Sequence, residues 1–425
     1  MNNSTENSRA AYAGELILTS TRSESMDSWV TGLNNNVLVL GCSGSGKTRN
    51  FLKPNLLQCE GSYVVLDSKG RLFREMGPCL SAHGYTVDCL DFTTMEGTIG
   101  YDPLHHVRWR KGRPLAQDII SIASALFPRS EMGDDPFWAG AAANYVASYI
   151  AYVFEALPDR EWNMASVVSV YEQACEGNAD ALFSDLSRQD PESYAVSLYR
   201  RAKSTARAEK MHSSIMGIIA ANLMPLTFDG ALASFRRVDQ IDFCDLGRER
   251  RVLFVTMDDM DRSLAPLTSL FIRQAFSSLC DFADAKCEGG RLPVPVRFML
   301  DDFANLTLPD FDDVLPSSAA VRSAAPSFAK RSASLRRVTT RQLRTRLSAT
   351  AIAIWCWASR MNERRAIFRC AQTRRLRRFL RRPLTTGGCS SAGIVAYANP
   401  ATRSRIIQGI STLARSASRR GFTRW

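Results

Sequence analysis

Short runs of consecutive apolar residues recur in the first hundred positions and again between 251 and 301, each closed by glycine or by an acidic residue. Asn36 to Leu40, Ser62 to Asp67, Thr86 to Phe92, Arg251 to Asp258 and Val296 to Asp301 read as strands. In the first two the apolar positions are adjacent rather than alternating, the pattern of strands covered on both faces. From about 104 to 235 the pattern changes to helical spacing, over Leu115 to Phe127, Phe137 to Ala156, Met164 to Ala174 and Pro191 to Arg207. Pro128, Pro158 and Pro191 mark the stops, since proline is excluded from helix interiors. The order predicts an α/β fold with a mostly parallel sheet and an inserted all-α domain. The expected segments are 1–14, polar; 15–103, first part of the α/β domain; 104–235, helical insert; 236–314, second part; and 315–425, a tail.

Phe137 to Phe154 is uncharged and of near-membrane length, but Asn144, Ser148 and tyrosines at 145, 149 and 152 interrupt it. Those tyrosines share a helical face, which predicts a buried amphipathic helix and no transmembrane segment. Met1 to Ala10 is polar and lacks the apolar core of an export signal. The cysteines follow no C-x-x-C or Cys/His ligand spacing, so reduced thiols are expected rather than zinc or disulfides. His105-His106 likewise reads as a loop pair.

Charge divides the chain. The formal net charge is +12, yet residues 315–425 hold 23 arginines and Lys330 against a single acid, Glu363. Residues 1–314 carry 30 basic and 41 acidic side chains, so the body is acidic and the tail strongly basic.

The chemistry concentrates where the first of these strands ends. Gly41-Cys-Ser-Gly-Ser-Gly-Lys-Thr48 fits the P-loop pattern, with a strand before it and a helical stretch after it. Gly41, Gly44 and Gly46, with Ser45 between them, let the backbone curl so that its N–H groups meet phosphate oxygens at a helix N-terminus. Lys47 is the candidate catalytic cation for the β- and γ-phosphates of ATP, and the Thr48 hydroxyl is a candidate Mg²⁺ ligand. Such a site also needs a carboxylate at a strand end. Phe298-Met-Leu-Asp301-Asp302 supplies Asp301 for the Mg²⁺ side and Asp302 as candidate base. Asp67 and Lys69, after the second strand, are further candidates for nucleotide contact.

Taken in order, these strings resemble the TraG-type coupling proteins of conjugation and type IV secretion. The strings are the P-loop, Lys53-Pro-Asn55, Asp67-Ser-Lys-Gly-Arg71, Gly100-Tyr-Asp-Pro103, Asp135-Pro-Phe-Trp138 opening the insert, and Leu300-Asp-Asp-Phe-Ala-Asn305. The resemblance covers about residues 15–314. It implies a RecA-like P-loop motor that forms a homo-hexameric ring and uses ATP to deliver relaxase-bound single-stranded DNA to the secretion channel proteins. It also implies a cytoplasmic place at the inner face of the plasma membrane. Ser68 and Arg71 stand where the family has proline and an acid, and Asp302 where it has glutamate. The family's transmembrane helices have no counterpart ahead of the first strand, so either a separate membrane anchor protein recruits the chain or its reading frame has lost its start.

The resemblance stops after Leu315. Reading the third base of each codon with the first two of the next, Trp355-Cys-Trp357-Ala358 must give Val-Leu-Gly and Met361-Asn362 must give Glu. Permissible codons elsewhere in that single frame spell strings like the family's continuation. This predicts a frame shift near Leu315, an out-of-frame and disordered tail, and doubtful catalytic competence. Two other readings remain open: an FtsK-type soluble DNA translocase with a genuine basic tail, and an inert ATP-binding fragment.

Overall fold

A computed structural model of the chain describes residues 14–19, 21–26, 37–40, 46–128, 136–205, 208–258, 261–301, 354–356 and 394–397. The first elements are the hairpin β1 (Glu15–Thr19) and β2 (Arg22–Ser25), then β3 (Val37–Leu40), α1 (Lys53–Leu57), β4 (Ser62–Asp67), α2 (Arg71–Ala82) and β5 (Thr86–Asp91). A two-stranded ribbon, β6 (Trp109–Arg110) and β7 (Arg113–Pro114), precedes the helices α3 (Ala116–Ala125), α4 (Pro136–Ala156), α5 (Met164–Cys175), α6 (Ala179–Gln189), α7 (Tyr194–Thr205), α8 (Glu209–Leu223) and α9 (Asp229–Phe235). The chain then returns through α10 (Asp245–Arg248), β8 (Arg251–Thr256), α11 (Ala265–Lys286) and β9 (Val296–Leu300). Two short strands follow, β10 (Ile354–Cys356) and β11 (Ile394–Tyr397).

The main sheet runs in the order β11-β3-β10-β9-β4-β8-β5. Every pairing in it is parallel except that of β11 with β3. The five strands expected from the sequence are all present, each ending within two residues of its expected end. Alternate side chains serve opposite faces, as the pleat requires. On one face Val64, Leu66, Leu253, Val255, Phe298 and Leu300 join the core built with α11 and the insert helices. On the other, Tyr63, Val65, Val252, Phe254 and Met299 join a core with Leu16, Phe51, Leu52, Leu72 and Leu80. Full burial of one such side chain contributes roughly 1.5–3 kcal/mol, which is why both sides of the central strands β4, β8 and β9 are largely apolar.

The strand ends beyond β3 belong to the P-loop, so what holds β3 and its following helix matters to any site there. Asn55 does much of this. It is fully buried, its Oδ1 accepts from the Ile17 N–H at 2.9 Å, and its Nδ2 donates to the carbonyls of Ile17 and Phe51, each at 2.8 Å. The asparagine of the Lys53-Pro-Asn55 string therefore ties β1 to the P-loop helix. Lys53 pairs with Glu75 on α2.

The Gly100–Pro103 string is a junction between sheet and insert. An added Cβ at Gly100 would lie 3.0 Å from the Ser234 carbonyl, so the two segments meet at glycine distance. Tyr101 is fully buried and donates to Gln274 Oε1 on α11 at 2.7 Å, while Gln274 returns a bond to the Pro103 carbonyl at 3.0 Å. Asp102 accepts from the N–H groups of Leu104 and Met164, each at 2.7 Å, so one carboxylate caps both the turn after it and the start of α5. Burial pushes its carboxyl up to about 7, against the pull of those two amides.

Phe137–Phe154 lies within α4, where Tyr145 and Tyr149 are buried. Among the described residues no single helix is long and apolar enough to cross a membrane. His105 and His106 close a 3₁₀ turn, Pro103–His106, rather than a loop. His106 is partly buried and stacks on Phe243, ring centroids 4.3 Å apart, and desolvation lowers its imidazole to about 3. A further correction concerns the tail, expected to be without structure. Ile354–Cys356 and Ile394–Tyr397 are strands of the main sheet, and both are apolar, β-prone runs among the arginines. The rest of 315–425 lies outside the described residues.

Candidate functional site

In the main sheet β3, β10, β9, β4, β8 and β5 are parallel, so their carboxyl ends share one edge of the sheet, the place where α/β sheets bind ligands. At that edge Gly46 has φ +85°, and an added Cβ would lie 2.5 Å from Asn50 Nδ2. Only glycine meets both conditions without strain. The Asn50 N–H donates to the Gly46 carbonyl at 2.7 Å, which starts the helix, and Lys47 and Thr48 occupy its first turn. That turn is wide, a π-type segment over Thr48–Leu52 that continues into α1.

Asp301 follows β9 and is 9% exposed. The Thr48 hydroxyl donates to its Oδ2 at 2.7 Å across a separation of 253 residues. β10 lies between β3 and β9, so this bond spans one intervening strand. A hydroxyl and a carboxylate this close form a hard-oxygen pair of the kind that Mg²⁺ prefers, and the hydroxyl can rotate to offer a lone pair instead of its proton.

Asp67, at the end of β4, is also buried but differently employed. Its Oδ2 accepts from the N–H groups of Leu72 at 2.6 Å and Phe73 at 3.2 Å, and its Oδ1 from Lys69 N–H at 3.3 Å. The first two are orphan donors of the first turn of α2, so Asp67 serves that helix as a cap. Gly70, at φ +60°, makes the turn between them. The Lys69 side chain is exposed at the same strand end. Gly41, Gly44, Ser45, Asp135 and Asp302 lie outside the described residues.

Two features had no reading in the sequence. Asn55 and Asp102 act through backbone contacts with segments remote in the chain, which no local spacing reveals. A cleft of about 490 Å³ opens within the insert, lined by Tyr152, Asn163, Ser166, Ser169, Gln173 and Arg236 among others. None of the P-loop residues line it, and the strand-end chemistry argues for the sheet edge as the reactive site.

The family model described as type IV secretory system conjugative DNA transfer matches residues 2–319. Over 274 residues, 63% of this chain, the sequence is 23% identical to protein VirD4 of Rhizobium radiobacter, and the match spans 38% of that protein's length. Among solved structures, the bacterial conjugative coupling protein TrwBΔN70, in a trigonal form with sulphate, aligns at a TM-score of 0.50 and 15% identity, covering 73% of this chain and 64% of the other. Plasmid coupling protein TrwB in complex with the non-hydrolysable ATP analogue ADPNP aligns at 0.47 and 16% identity, covering 73% and 66%. The TrwBΔN70 alignment shows a shared fold.

Proposed function

The chain belongs to the type IV secretory system conjugative DNA-transfer family, and from that membership we propose that it is the ATP-binding coupling protein of such a system. In this reading it uses ATP to pass single-stranded DNA, bound to its relaxase, to the channel proteins, working as a homo-hexamer at the inner face of the membrane. The observation that carries the nucleotide part is the Thr48–Asp301 hydrogen bond, which joins the P-loop to the acid strand.

The roles follow from the residue chemistry. The glycine-rich motif would give its backbone N–H groups to the phosphates, and Lys47 would neutralise the β- and γ-phosphoryl oxygens. Thr48 and Asp301 would hold Mg²⁺, which when bound offsets negative charge on the phosphates. Asp302 orients the attacking water; its side chain is one methylene shorter than the family's glutamate. Asp67 fixes the strand end through α2, and Lys69 is available there to an anionic group.

Equilibrium binding of a fluorescent ATP analogue with Mg²⁺, with a steady-state hydrolysis assay beside it, tests this reading. Lys47→Ala should abolish hydrolysis and weaken binding roughly tenfold to hundredfold. Equal binding by the wild-type and Lys47→Ala chains would remove the nucleotide site.

A second reading, binding without turnover, draws on the end of the family match at residue 319, beside the change from an acidic to an arginine-rich composition. It attributes the tail to a shifted reading frame. The encoding nucleotide sequence decides: an alternative frame interrupted by stops, or lacking the family's continuation, would sink it.

A further inference from the structure

The ribbon β6–β7 at the start of the insert breaks a rule of sheet design. Arg110 and Arg113 are directly opposed across it, and like charges in that position destabilise a hairpin. Lys111, at the turn, adds a third cation, and all three side chains are exposed. No carboxylate of the described residues pairs with any of them. At the base of the ribbon Arg108 holds Asp118 through its Nη2 at 2.6 Å and Asp281 through its Nη1 at 2.9 Å.

The ribbon is nonetheless firmly built. Lys111 and Gly112 take φ values of +52° and +74°, the paired left-handed conformation of a type I′ turn that suits a two-residue hairpin. Its base is closed by the Leu115 N–H donating to the Arg108 carbonyl at 2.8 Å. Trp109 stacks on Trp162 with centroids 4.8 Å apart and meets Phe154 edge-on, while Trp162 is held by its own N–H to the Leu157 carbonyl at 3.0 Å. Even so, Trp109 remains 45% exposed.

A rigid platform that holds unpaired cations beside a half-exposed indole, on a body with net negative charge, is arranged for a polyanion with flat apolar faces. We propose that the ribbon Trp109–Pro114 is a contact site for single-stranded nucleic acid. Arg110, Lys111 and Arg113 meet phosphates, and the exposed edge of Trp109 meets a base. An acidic peptide or an anionic lipid surface would satisfy the cations but leave the immobilised indole without its partner.

This inference rests on the DNA-delivery reading for its setting, and its test is made without nucleotide so that the two stand or fall separately. The full chain is irradiated with an iododeoxyuridine-substituted oligo(dT), and the adducts are located by mass spectrometry, which separates the ribbon from the arginine-rich tail. An adduct at Trp109 is expected. It should be lost in the Arg110→Gln/Lys111→Gln/Arg113→Gln chain and kept in Arg110→Lys/Arg113→Lys, which preserves charge and controls for folding. In anisotropy titrations the triple variant should bind oligo(dT) at least tenfold more weakly, with a salt slope smaller by about 2, at roughly 0.7 per single-strand phosphate. Adducts confined to residues 315–425, an unchanged salt slope, or binding of anionic vesicles in preference to oligo(dT) would overturn the proposal.

Discussion

Two buried aspartates at the same edge of the sheet show how one residue type comes to serve two ends. Asp67 at the end of β4 spends one oxygen on backbone amides of α2 and the other on the Lys69 amide in the turn before it. Asp301 beyond β9 accepts from the hydroxyl of Thr48. Backbone donors are fixed, so a carboxylate that holds them cannot exchange partners without unravelling a helix turn. A side-chain hydroxyl can turn aside, so its carboxylate is open to a cation. What distinguishes a ligand site from a scaffold at these strand ends is whether the carboxylate's partner can be exchanged.

Substitutions on the Asp301 side should produce the largest effects. Lys47→Ala removes a charged hydrogen-bond donor to the phosphates, and MgATP affinity measured by titration should fall roughly tenfold to hundredfold. Asp301→Asn keeps size but halves the acceptor capacity and removes the charge. It should abolish the Mg²⁺ dependence of nucleotide binding while leaving the melting temperature close to that of the wild type. Comparable Mg²⁺ dependence in Asp301→Asn and wild type would collapse the contrast between the two aspartates.

Asp67→Ala should behave in the opposite way. Loss of a cap that holds two helix donors costs about 1–2 kcal/mol of stability, read from the denaturant midpoint, with MgATP affinity retained in the folded fraction. A large loss of affinity without loss of stability would move Asp67 to the ligand side.

A third aspartate, Asp102, sharpens the scaffold side through pH. Its buried carboxyl is raised to about 7, whereas the unfolded chain ionises near 3.9. Between those values the folded protein keeps a proton that the unfolded chain has released, so stability falls as pH rises through this window. The contribution is full below the unfolded value and lost above the folded one. Asp102→Asn should flatten that slope, measured as the change in denaturant midpoint between about pH 4 and about pH 8. An unchanged slope would refute the assignment. The smallest effect belongs to the ribbon: Arg113→Glu should stabilise it by roughly 0.2–1 kcal/mol, by turning a like-charge cross-strand pair into an opposite one.

The strands and the P-loop were legible because their signals are local. Val37–Leu40 is an apolar run ending at a glycine turn, and the mid-insert helices carry their own periodicity and proline stops. The hairpin Glu15–Ser25 was not legible, because its strands are half polar and one of them is pinned by Asn55, a residue 38 positions from Ile17. The stacking of His106 on Phe243 was not legible either, because the two residues are remote in the chain.

The amino-acid sequence alone determined which segments are strands, where the glycine-rich turn lies, which acids end the strands, and where the composition breaks. Each of these is set by neighbours within a few residues, through pleat, turn and charge. Only the tertiary structure decided the strand order, which brings Thr48 to Asp301, and only it separated Asp301 from Asp67. A carboxylate's role depends on which donors lie within about 3 Å, and those donors come from segments whose meeting is fixed by packing of the whole sheet.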